Sequence, residues 1–367
     1  MSLSGRASVL FALFWACPAT AAQDTVAAFQ ALAKQADAAR DAHQFEKAID
    51  LYQRALKLKP GWQEGWWSLG SIAYDLDRFS ECAAAFSRLS SLKPDGAPVW
   101  TMLGLCEFNL RHYGPTVEAL THVEEMGFQE NTELAHAARL RLALALIKIE
   151  SYEKAIALLT DLTRIDKKTP DIIVAAGVAG LRQPWTPGEV PESERELVYN
   201  LGDAMASAME LDYKTADRKF EQLVQAHPSD PNVHYRYGAL LHSQDADQGF
   251  EEIRKAVELA PSYVPALVSL SVISLKREES KAAVEYGEKA VEVSPGDFST
   301  HLVLGRALLA VDDFARAAVE LEQAVKLAPG SPEAHFSLGT AYARLGRKED
   351  ATREQAEFKR LQQRPAK

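Results

Sequence analysis

The feature that most constrains this chain is a pattern that returns every 34 residues, as from Trp66 to Trp100. Near the start, Trp66, Leu69 and Gly70 recur as Trp100, Leu103 and Gly104. Near the end, His301, Leu304 and Gly305 recur as His335, Leu338 and Gly339. Prolines keep the same interval at Pro60, Pro94, Pro261, Pro295 and Pro329. A period of this length is typical of stacked helical hairpins, in which each unit packs only against its neighbours.

Small residues occupy two positions of the repeat where paired helices would cross. The first helices carry Gly70, Gly104, Gly238, Gly305 and Gly339, and the second helices carry Ala48, Ala155, Ala216, Ala283 and Ala317. A glycine inside a helix costs about 1 kcal/mol relative to alanine, so its recurrence indicates close helix packing. Larger side chains would fill the space toward the next unit: Tyr52, Phe86, Leu159, Phe220 and Leu321.

These residues resemble the tetratricopeptide repeat family, whose units read W-x-x-L-G-x-x-Y, then alternate small and large apolar residues before a closing proline. The best units are AHFSLGTAYARLGRKEDA and THLVLGRALLAVDDFARAAVELEQAVKLAP. The resemblance covers residues 29–365 and implies an all-α solenoid of about nine helix-turn-helix units that form a right-handed superhelix. We expect these units to begin near Phe29, Gln63, Ala97, His136, Leu197, Pro231, Val264, Phe298 and Pro332.

The repeat is interrupted between Pro170 and Glu196, where the sequence LRQPWTPGEVPESERE is rich in proline. We therefore expect an N-terminal array of about four units over residues 23–169 and a C-terminal array of about five units over 197–367, which ends in a capping helix. Residues 170–196 would form a joint that contains a helix packed on the fourth unit. We interpret the joint as an ordered linker, and the alternative is a hinge or a ligand-facing loop anchored by Trp185.

The first 22 residues have the pattern of an export signal. Arg6 supplies the positive charge, Val9 to Ala16 the apolar stretch, and Ala19 to Ala22 two overlapping small-residue cleavage sites. We expect an exported protein, periplasmic or secreted. No later segment approaches the roughly 18 apolar residues of a membrane helix, so none is expected to span a membrane after signal removal.

Three cysteines bear on processing and on the redox compartment. Cys17 follows the apolar stretch, but bulky Phe14 and Trp15 precede it, which disfavours a lipoprotein. Cys82 and Cys106 fall in predicted helices of neighbouring units. A bridge between them is conceivable, and we favour two buried free thiols.

Charge and motifs argue against several classes of function. A net charge of −10 disfavours nucleic acid and anionic membranes as targets. The sequence contains no P-loop, HExxH or GxSxG motif, so we expect no catalytic residues, no metal and no cofactor. His301 and His335 occupy the repeat position of Trp66 and Trp100, which favours packing over metal binding. The alternative is an enzyme or enzyme subunit with a hydrolase-like cleft at residues 184–191.

The family resemblance implies an adaptor, in the bacterial cell envelope, that binds a peptide or a helix of a protein partner on the concave face of the first helices. The family's groove positions fall on Trp67, Tyr74, Phe108, Asn109, Tyr235, Arg236, His242, Arg306, Phe336 and Arg344. For each residue the alternative is ordinary packing or solvation. The family's carboxylate clamp is missing from the first three units, where Ala33, Asp37, Ser68, Pro98 and Met102 occupy its positions.

Overall fold

A computed structural model of the chain describes residues 18–127, 133–166 and 169–363. These ranges contain nineteen α-helices and two short 3₁₀ turns, and they contain no strand. The all-α prediction is therefore confirmed. Most of the predicted export signal, including Arg6, the apolar stretch and Cys17, lies outside the described residues.

The chain divides into two compact units, Met1–Glu130 and Asn131–Lys367, here called the N-terminal and C-terminal units. The N-terminal unit contains α1 (Pro18–Asp41), α2 (Phe45–Leu58), α3 (Gln63–Asp75), α4 (Phe79–Leu92), α5 (Ala97–Asn109) and α6 (Tyr113–Met126). They form three consecutive hairpins, α1–α2, α3–α4 and α5–α6, and each hairpin packs against the next through α2–α3 and α4–α5 contacts.

The C-terminal unit contains thirteen helices. These are α7 (Glu133–Lys148), α8 (Tyr152–Asp166), α9 (Pro170–Gly180), α10 (Arg195–Met209), α11 (Tyr213–Ala226), α12 (Pro231–Leu241), α13 (Ala246–Leu259), α14 (Val264–Lys276), α15 (Ser280–Val293), α16 (Phe298–Ala310), α17 (Phe314–Leu327), α18 (Pro332–Arg344) and α19 (Lys348–Gln362). Six hairpins, α7–α8 and then α10–α11 to α18–α19, follow one another, with α9 inserted after the first.

Helix starts follow the repeat. In six of the nine units, the first helix begins at the residue that the period predicts: Gln63, Ala97, Pro231, Val264, Phe298 and Pro332. Two of these starts show why. The Asp230 carboxylate accepts hydrogen bonds from the backbone N–H groups of Asn232 and Val233, and the Ser331 hydroxyl accepts one from Ala334. In both cases a proline follows as the first helical residue, where no N–H is needed.

The hairpin turns share one backbone feature. In most of them a residue has φ in the left-handed region, between 55° and 65° for the non-glycine cases such as Leu211 and Asp312. Arg182, at the end of α9, has the same conformation, with φ of 54°. The next residue, Gln183, donates its N–H to the Val178 carbonyl, just as Asp212 donates to Ser207. Helix α9 thus ends like the first helix of a hairpin, although the joint follows it.

The small residues lie at the helix crossings, as predicted. A methyl group on Gly305 would meet Leu321 at 2.5 Å, and one on Gly70 would meet Phe86 at 2.6 Å. The large residues predicted to fill the space between units are buried: Tyr52, Phe86, Leu159, Phe220 and Leu321 are each at most 1% exposed. The cores of both units therefore consist of the side chains that the period selects.

Helix α9 makes the closest helix crossing of the joint. It contacts α7 and α8 of the fourth hairpin, as expected, but packs most closely on α10. There Gly177 and Gly202 let the two backbones touch. A methyl group on Gly177 would overlap the carbonyl oxygen of Val198, and one on Gly202 would overlap that of Ile173. Because α9 ties the fourth hairpin to α10, the boundary between compact units falls at residue 130 and not at the joint.

Cys82 and Cys106 form a disulfide bond between α4 and α5, with their Cα atoms 6.0 Å apart. Our preference for two free thiols was wrong in this respect, although both side chains are fully buried as expected. The 34-residue register brings the two helices together, but the sequence does not specify which faces meet. The bridge joins the second hairpin to the third.

Over the residues that the structure describes, every helix is too short or too polar to cross a lipid bilayer.

Candidate functional site

In the C-terminal unit, three pairs of first helices from successive hairpins contact one another directly: α10 with α12, α14 with α16, and α16 with α18. Across the described residues, no contact of comparable extent joins successive second helices of this unit. Helices on the inside of a curved array lie closer together than those on the outside. The first helices of this unit therefore form its inner side, which is the side that the family resemblance nominates for binding.

Two of the predicted residues lie in a cluster of charged and aromatic side chains. The Arg236 guanidinium donates to both carboxylate oxygens of Glu153, with Nη1–Oε2 and Nη2–Oε1 distances of 3.2 and 3.0 Å. Arg182 donates to the same carboxylate at 3.1 Å. Tyr235 lies beside Arg236, with 5.0 Å from the guanidinium to the ring centroid. The cluster connects α8, the end of α9 and α12.

Tyrosines surround the two arginines. The guanidinium of Arg182 lies 4.8 Å from the ring centroid of Tyr152 and 6.0 Å from that of Tyr263. Tyr263 packs edge-on against Tyr235 at 5.3 Å, and its hydroxyl donates to the Asn232 side chain at 2.9 Å. Burial raises the pKa of Tyr263 above its ordinary value. The hydroxyl therefore remains a hydrogen-bond donor across the physiological pH range.

The arginines control the ionisation of Glu153. Burial alone would raise the pKa of this carboxyl, but the charge and hydrogen bonds of Arg236, together with the charge of Arg182, lower it below its ordinary value. Arg236 is only 8% exposed. Two guanidinium groups face one carboxylate, so the cluster carries a net positive charge.

Trp67 borders a cleft in the N-terminal unit with a volume of about 460 Å³. The side chain is 37% exposed, and its ring packs edge-on against Phe86 at 5.4 Å. The cleft is lined by Gln63, Glu64, Trp67, Ser68, Leu89, Lys93, Gly96, Pro98 and Val99. Its floor is apolar, and Glu64 and Lys93 place one charge of each sign at its rim.

The other predicted residues of the N-terminal unit make local contacts. The half-buried ring of Tyr74 packs edge-on against Phe79, and that of Phe108 against Tyr113. Asn109 donates its side-chain N–H to the Leu105 carbonyl at 2.9 Å. All three belong to first helices, but none of them lines the cleft at Trp67.

The remaining predicted residues of the C-terminal unit are spread over three first helices. His242 ends α12, and its backbone lies against Gly249. Arg306 on α16 is exposed, and no ion pair forms with it among the described residues. Phe336 on α18 is 56% exposed and packs at 5.2 Å from Phe358. Arg344 pairs with Asp312 at 3.0 Å. The structure thus brings only Tyr235 and Arg236 together.

Sequence reasoning missed Glu153, Arg182 and Tyr263, which complete the cluster around Arg236. Arg182 was visible within the interrupted stretch, next to the prolines. Its partner Glu153 lies 29 residues before Arg182 and 83 residues before Arg236. Contacts of that separation cross several helices, and the repeat register gives no signal for them.

The joint is ordered by its own hydrogen bonds. The 3₁₀ turn Pro187–Glu189 begins with a capping box, in which the Thr186 hydroxyl bonds the Glu189 backbone and the Glu189 carboxylate accepts from the Thr186 N–H. The same carboxylate pairs with Lys148 of α7 at 2.9 Å. Across the described ranges no three or more His, Cys, Asp or Glu side chains converge as metal ligands. The capping box and the ion pair with Lys148 give the Glu189 carboxylate a structural role.

Comparison with known families decides what kind of repeat this is. A family model described as tetratricopeptide repeat matches residues 33–97. A second, described as the middle TPR-like domain of cilia and flagella-associated protein 70, matches residues 204–362. The chain belongs to the tetratricopeptide repeat family. No curated protein matches it.

Solved structures of MamA are similar to part of this tetratricopeptide repeat protein. The MamA 41-end structure from Desulfovibrio magneticus RS-1 is 18% identical and covers 48% of this chain and 99% of its own, with a TM-score of 0.43. The MamA RS-1 ArsTM double mutant is 19% identical and covers 47% of this chain and 96% of its own, with a TM-score of 0.42. The MamA AMB-1 structure is 24% identical and covers 45% of this chain and 98% of its own, with a TM-score of 0.40.

Tetratricopeptide repeats are protein-interaction modules, and this protein is a scaffold of that kind. The family points to a non-catalytic repeat protein.

Proposed function

We propose that this protein is an exported adaptor of the cell envelope, which binds an extended peptide or a helix of a partner protein on the face formed by its first helices. The cleft at Trp67 carries the proposal. It combines an exposed aromatic ring with an apolar floor and a charged rim, in a volume of about 460 Å³. Aromatic anchors in such clefts supply much of the affinity of protein interfaces.

The first helices of the C-terminal unit offer a second candidate surface for a partner. Half-buried aliphatic side chains follow one another on α14 and α16: Val268, Val272, Leu302 and Leu309. The exposed ring of Phe336 continues them on α18. Arg306 lies among them with its charge exposed to solvent. This combination favours a partner segment with apolar side chains and at least one acidic residue.

The location rests on two features. The first 22 residues have the three-part pattern of an export signal. Disulfide bonds persist in oxidising compartments, and Cys82 pairs with Cys106. Cleavage after Ala21 or Ala22 would remove the first turn of α1, which begins at Pro18. Sequencing of the mature N-terminus, together with cell fractionation, tests this part. A chain that retains Met1 in the cytoplasm would contradict it.

Site-specific photo-crosslinking in the native host tests the binding face. A photoreactive amino acid replaces Trp67 in the full chain, and the control replaces Leu58, which is 40% exposed at the end of second helix α2. We expect a defined protein adduct from position 67 and none from position 58. The adduct should be competed by the unlabelled chain but not by its Trp67→Ala and Tyr74→Ala variant. Equal adducts from both positions would reject the face.

A further inference from the structure

The cluster around Glu153 has one positive charge in excess, in a chain whose net charge is −10. Arg182 and Arg236 both bond this single carboxylate. Arg254 shows the opposite ratio, since one arginine there pairs with two glutamates. Glu150, on the turn before α8, is exposed to solvent and bonds neither arginine of the cluster among the described residues. The cluster therefore has room for one more negative charge.

The hydrogen bonds of Arg236 are already used. Its Nη1 and Nη2 atoms donate to Glu153, and its Nε atom donates to the Gly180 carbonyl at 3.5 Å. The side chain is buried, so a ligand from solvent has no direct access to it. Arg236 thus supplies charge to the site but no contact surface.

Arg182 differs, because one edge of its guanidinium is open. Its Nη1 atom donates to Glu153 at 3.1 Å. Among the residues that the structure describes, no acceptor bonds its Nε or Nη2 atom. The N–H groups of these two atoms are parallel and match the two oxygens of a carboxylate. The side chain is 28% exposed, so a ligand can approach this edge.

Aromatic rings hold the guanidinium of Arg182 in place. It lies over the ring of Tyr152, 4.8 Å from the centroid, and 6.0 Å from that of Tyr263. Tyr152 is itself buried, with 4% exposed. Stacking and the bond to Glu153 fix the side chain before any ligand arrives, so little conformational entropy is lost on binding.

The cluster adjoins the first helices of the C-terminal unit. Arg236 lies on α12, and Tyr263 is the residue that precedes α14. The hydroxyl of Tyr235 lies 3.5 Å from that of Ser269 on α14. Helix α14 also carries two of the half-buried valines of the candidate surface described above. The open guanidinium and this apolar surface therefore belong to neighbouring elements.

We propose that Arg182, supported by the charge of Arg236, binds a carboxylate of the partner protein through its Nε and Nη2 atoms. The proposal rests on the proposed function in taking this carboxylate from a protein partner. One carboxylate cancels the excess charge, whereas a phosphate group carries about two negative charges and would be repelled by Glu153. Arg182 ends α9, which is inserted between repeat units, so the site lies outside the groove positions of the family.

Nuclear magnetic resonance of the full chain tests the site without a partner. Arginine is labelled with ¹⁵N at Nε, and the variants Arg182→Gln and Arg306→Gln assign two resonances. At constant ionic strength, the probes are N-acetylglutamic acid α-amide, which offers a side-chain carboxylate, and N-acetylalanine, which offers a terminal one. The neutral control is N-acetylglutamine amide.

We expect the Arg182 resonance to shift and saturate with at least one carboxylate probe. That probe should bind about tenfold more tightly than the neutral amide, because hydrogen bonds to charged groups contribute more than those between neutral groups. The carboxylate that binds more tightly identifies the source, a side chain or a chain terminus. Inorganic phosphate, as a further probe, should bind less tightly than either the side-chain or the terminal carboxylate that saturates the site.

Arg306 is the matched control, since it is exposed and forms no ion pair among the described residues. Its resonance should shift weakly and without saturation, because no second arginine or stacked ring supports it. Equal shifts at Arg182 and Arg306, equal binding of the neutral amide, or tighter binding of inorganic phosphate would overturn the proposal. No partner takes part in this titration, so it and the crosslinking at position 67 can fail independently.

Thermal unfolding gives a second measurement of the same site. A ligand that binds only the folded chain raises its denaturation temperature. The tighter carboxylate probe should therefore stabilise wild type and Arg306→Gln but not Arg182→Gln, with circular dichroism as the check that each variant folds. Equal stabilisation of all three proteins would overturn the proposal. If Arg182→Gln does not fold, the titration of wild type decides alone.

Discussion

The guanidinium of Arg236 donates two hydrogen bonds, of 3.2 and 3.0 Å, to the carboxylate of Glu153. This pair connects α12 to α8 across 83 residues of sequence. Arg182 adds a third bond to the same carboxylate from the end of α9. One carboxylate thus holds three parts of the C-terminal unit around the joint. The joint is an ordered element because Arg182 and Glu189, both within it, bind Glu153 of α8 and Lys148 of α7.

Replacement of Glu153 by Gln should destabilise the C-terminal unit by about 2 kcal/mol. The loss leaves Arg236 buried without an anion, which costs about 3–5 kcal/mol at fully buried pairs and less here because Glu153 is half-exposed. Denaturant unfolding followed by circular dichroism measures the loss, and hydrogen exchange of α8 and α12 locates it. The control is Glu251→Gln, in an exposed pair with Arg254, which should cost less than about 1 kcal/mol. Equal losses in both variants would contradict the role of Glu153.

The same carboxylate predicts a dependence on acid pH. Burial opposes ionisation of Glu153, but Arg236 and Arg182 outweigh it and lower its pKa below 4.5. A lowered carboxyl pKa contributes stability that is complete above the unfolded value and is lost as the pH falls through the folded one. The wild-type advantage over Glu153→Gln should therefore be constant from pH 5 to 7 and shrink below about pH 4.5. An advantage that persists unchanged at pH 3 would show that the charge is irrelevant.

Alanine at Gly177 should separate α9 from α10. The new methyl group would overlap the carbonyl oxygen of Val198, which is backbone and has no rotamer to move. We expect a loss of about 3 kcal/mol, the upper end of the usual cost of overpacking. Gly339 provides the matched control, since a methyl group there meets its nearest atom, on Glu354, at 3.4 Å. Gly339→Ala should be neutral or stabilise by up to about 1 kcal/mol, because alanine favours the helix. Denaturation midpoints of both variants compare the two sites, and a well-tolerated Gly177→Ala would refute the close crossing.

The helix register was predictable from the sequence because the period fixes where each hairpin begins. Pro231 and Pro332 illustrate this, since the preceding Asp230 and Ser331 cap their helices through local hydrogen bonds. The substitution of histidine for tryptophan at positions 301 and 335 was visible for the same reason. Both histidines contact a glutamate 19 residues later, and this pairing depends on which face of the second helix turns inward.

The parts that could not be predicted depend on contacts between helices distant in sequence. Arg236 was identified as a groove residue from its repeat position, yet its partner Glu153 lies two hairpins and one inserted helix earlier. No periodic signal exists for such a pair, because α9 and the joint break the register between them. The bridge between Cys82 and Cys106 depends in the same way on the faces through which α4 and α5 meet.

Removal of the Cys82–Cys106 bridge should destabilise the N-terminal unit. The bond closes a loop of 24 residues between α4 and α5, and restricting a loop of this length in the unfolded chain contributes about 3 kcal/mol. The double variant Cys82→Ala and Cys106→Ala should lose about that amount, as measured by denaturant unfolding under oxidising conditions. Under reducing conditions the unfolded wild-type chain loses its bridge, so the two proteins should converge. Wild type that unfolds at the same denaturant concentration with and without reductant would show that the bond contributes nothing to stability.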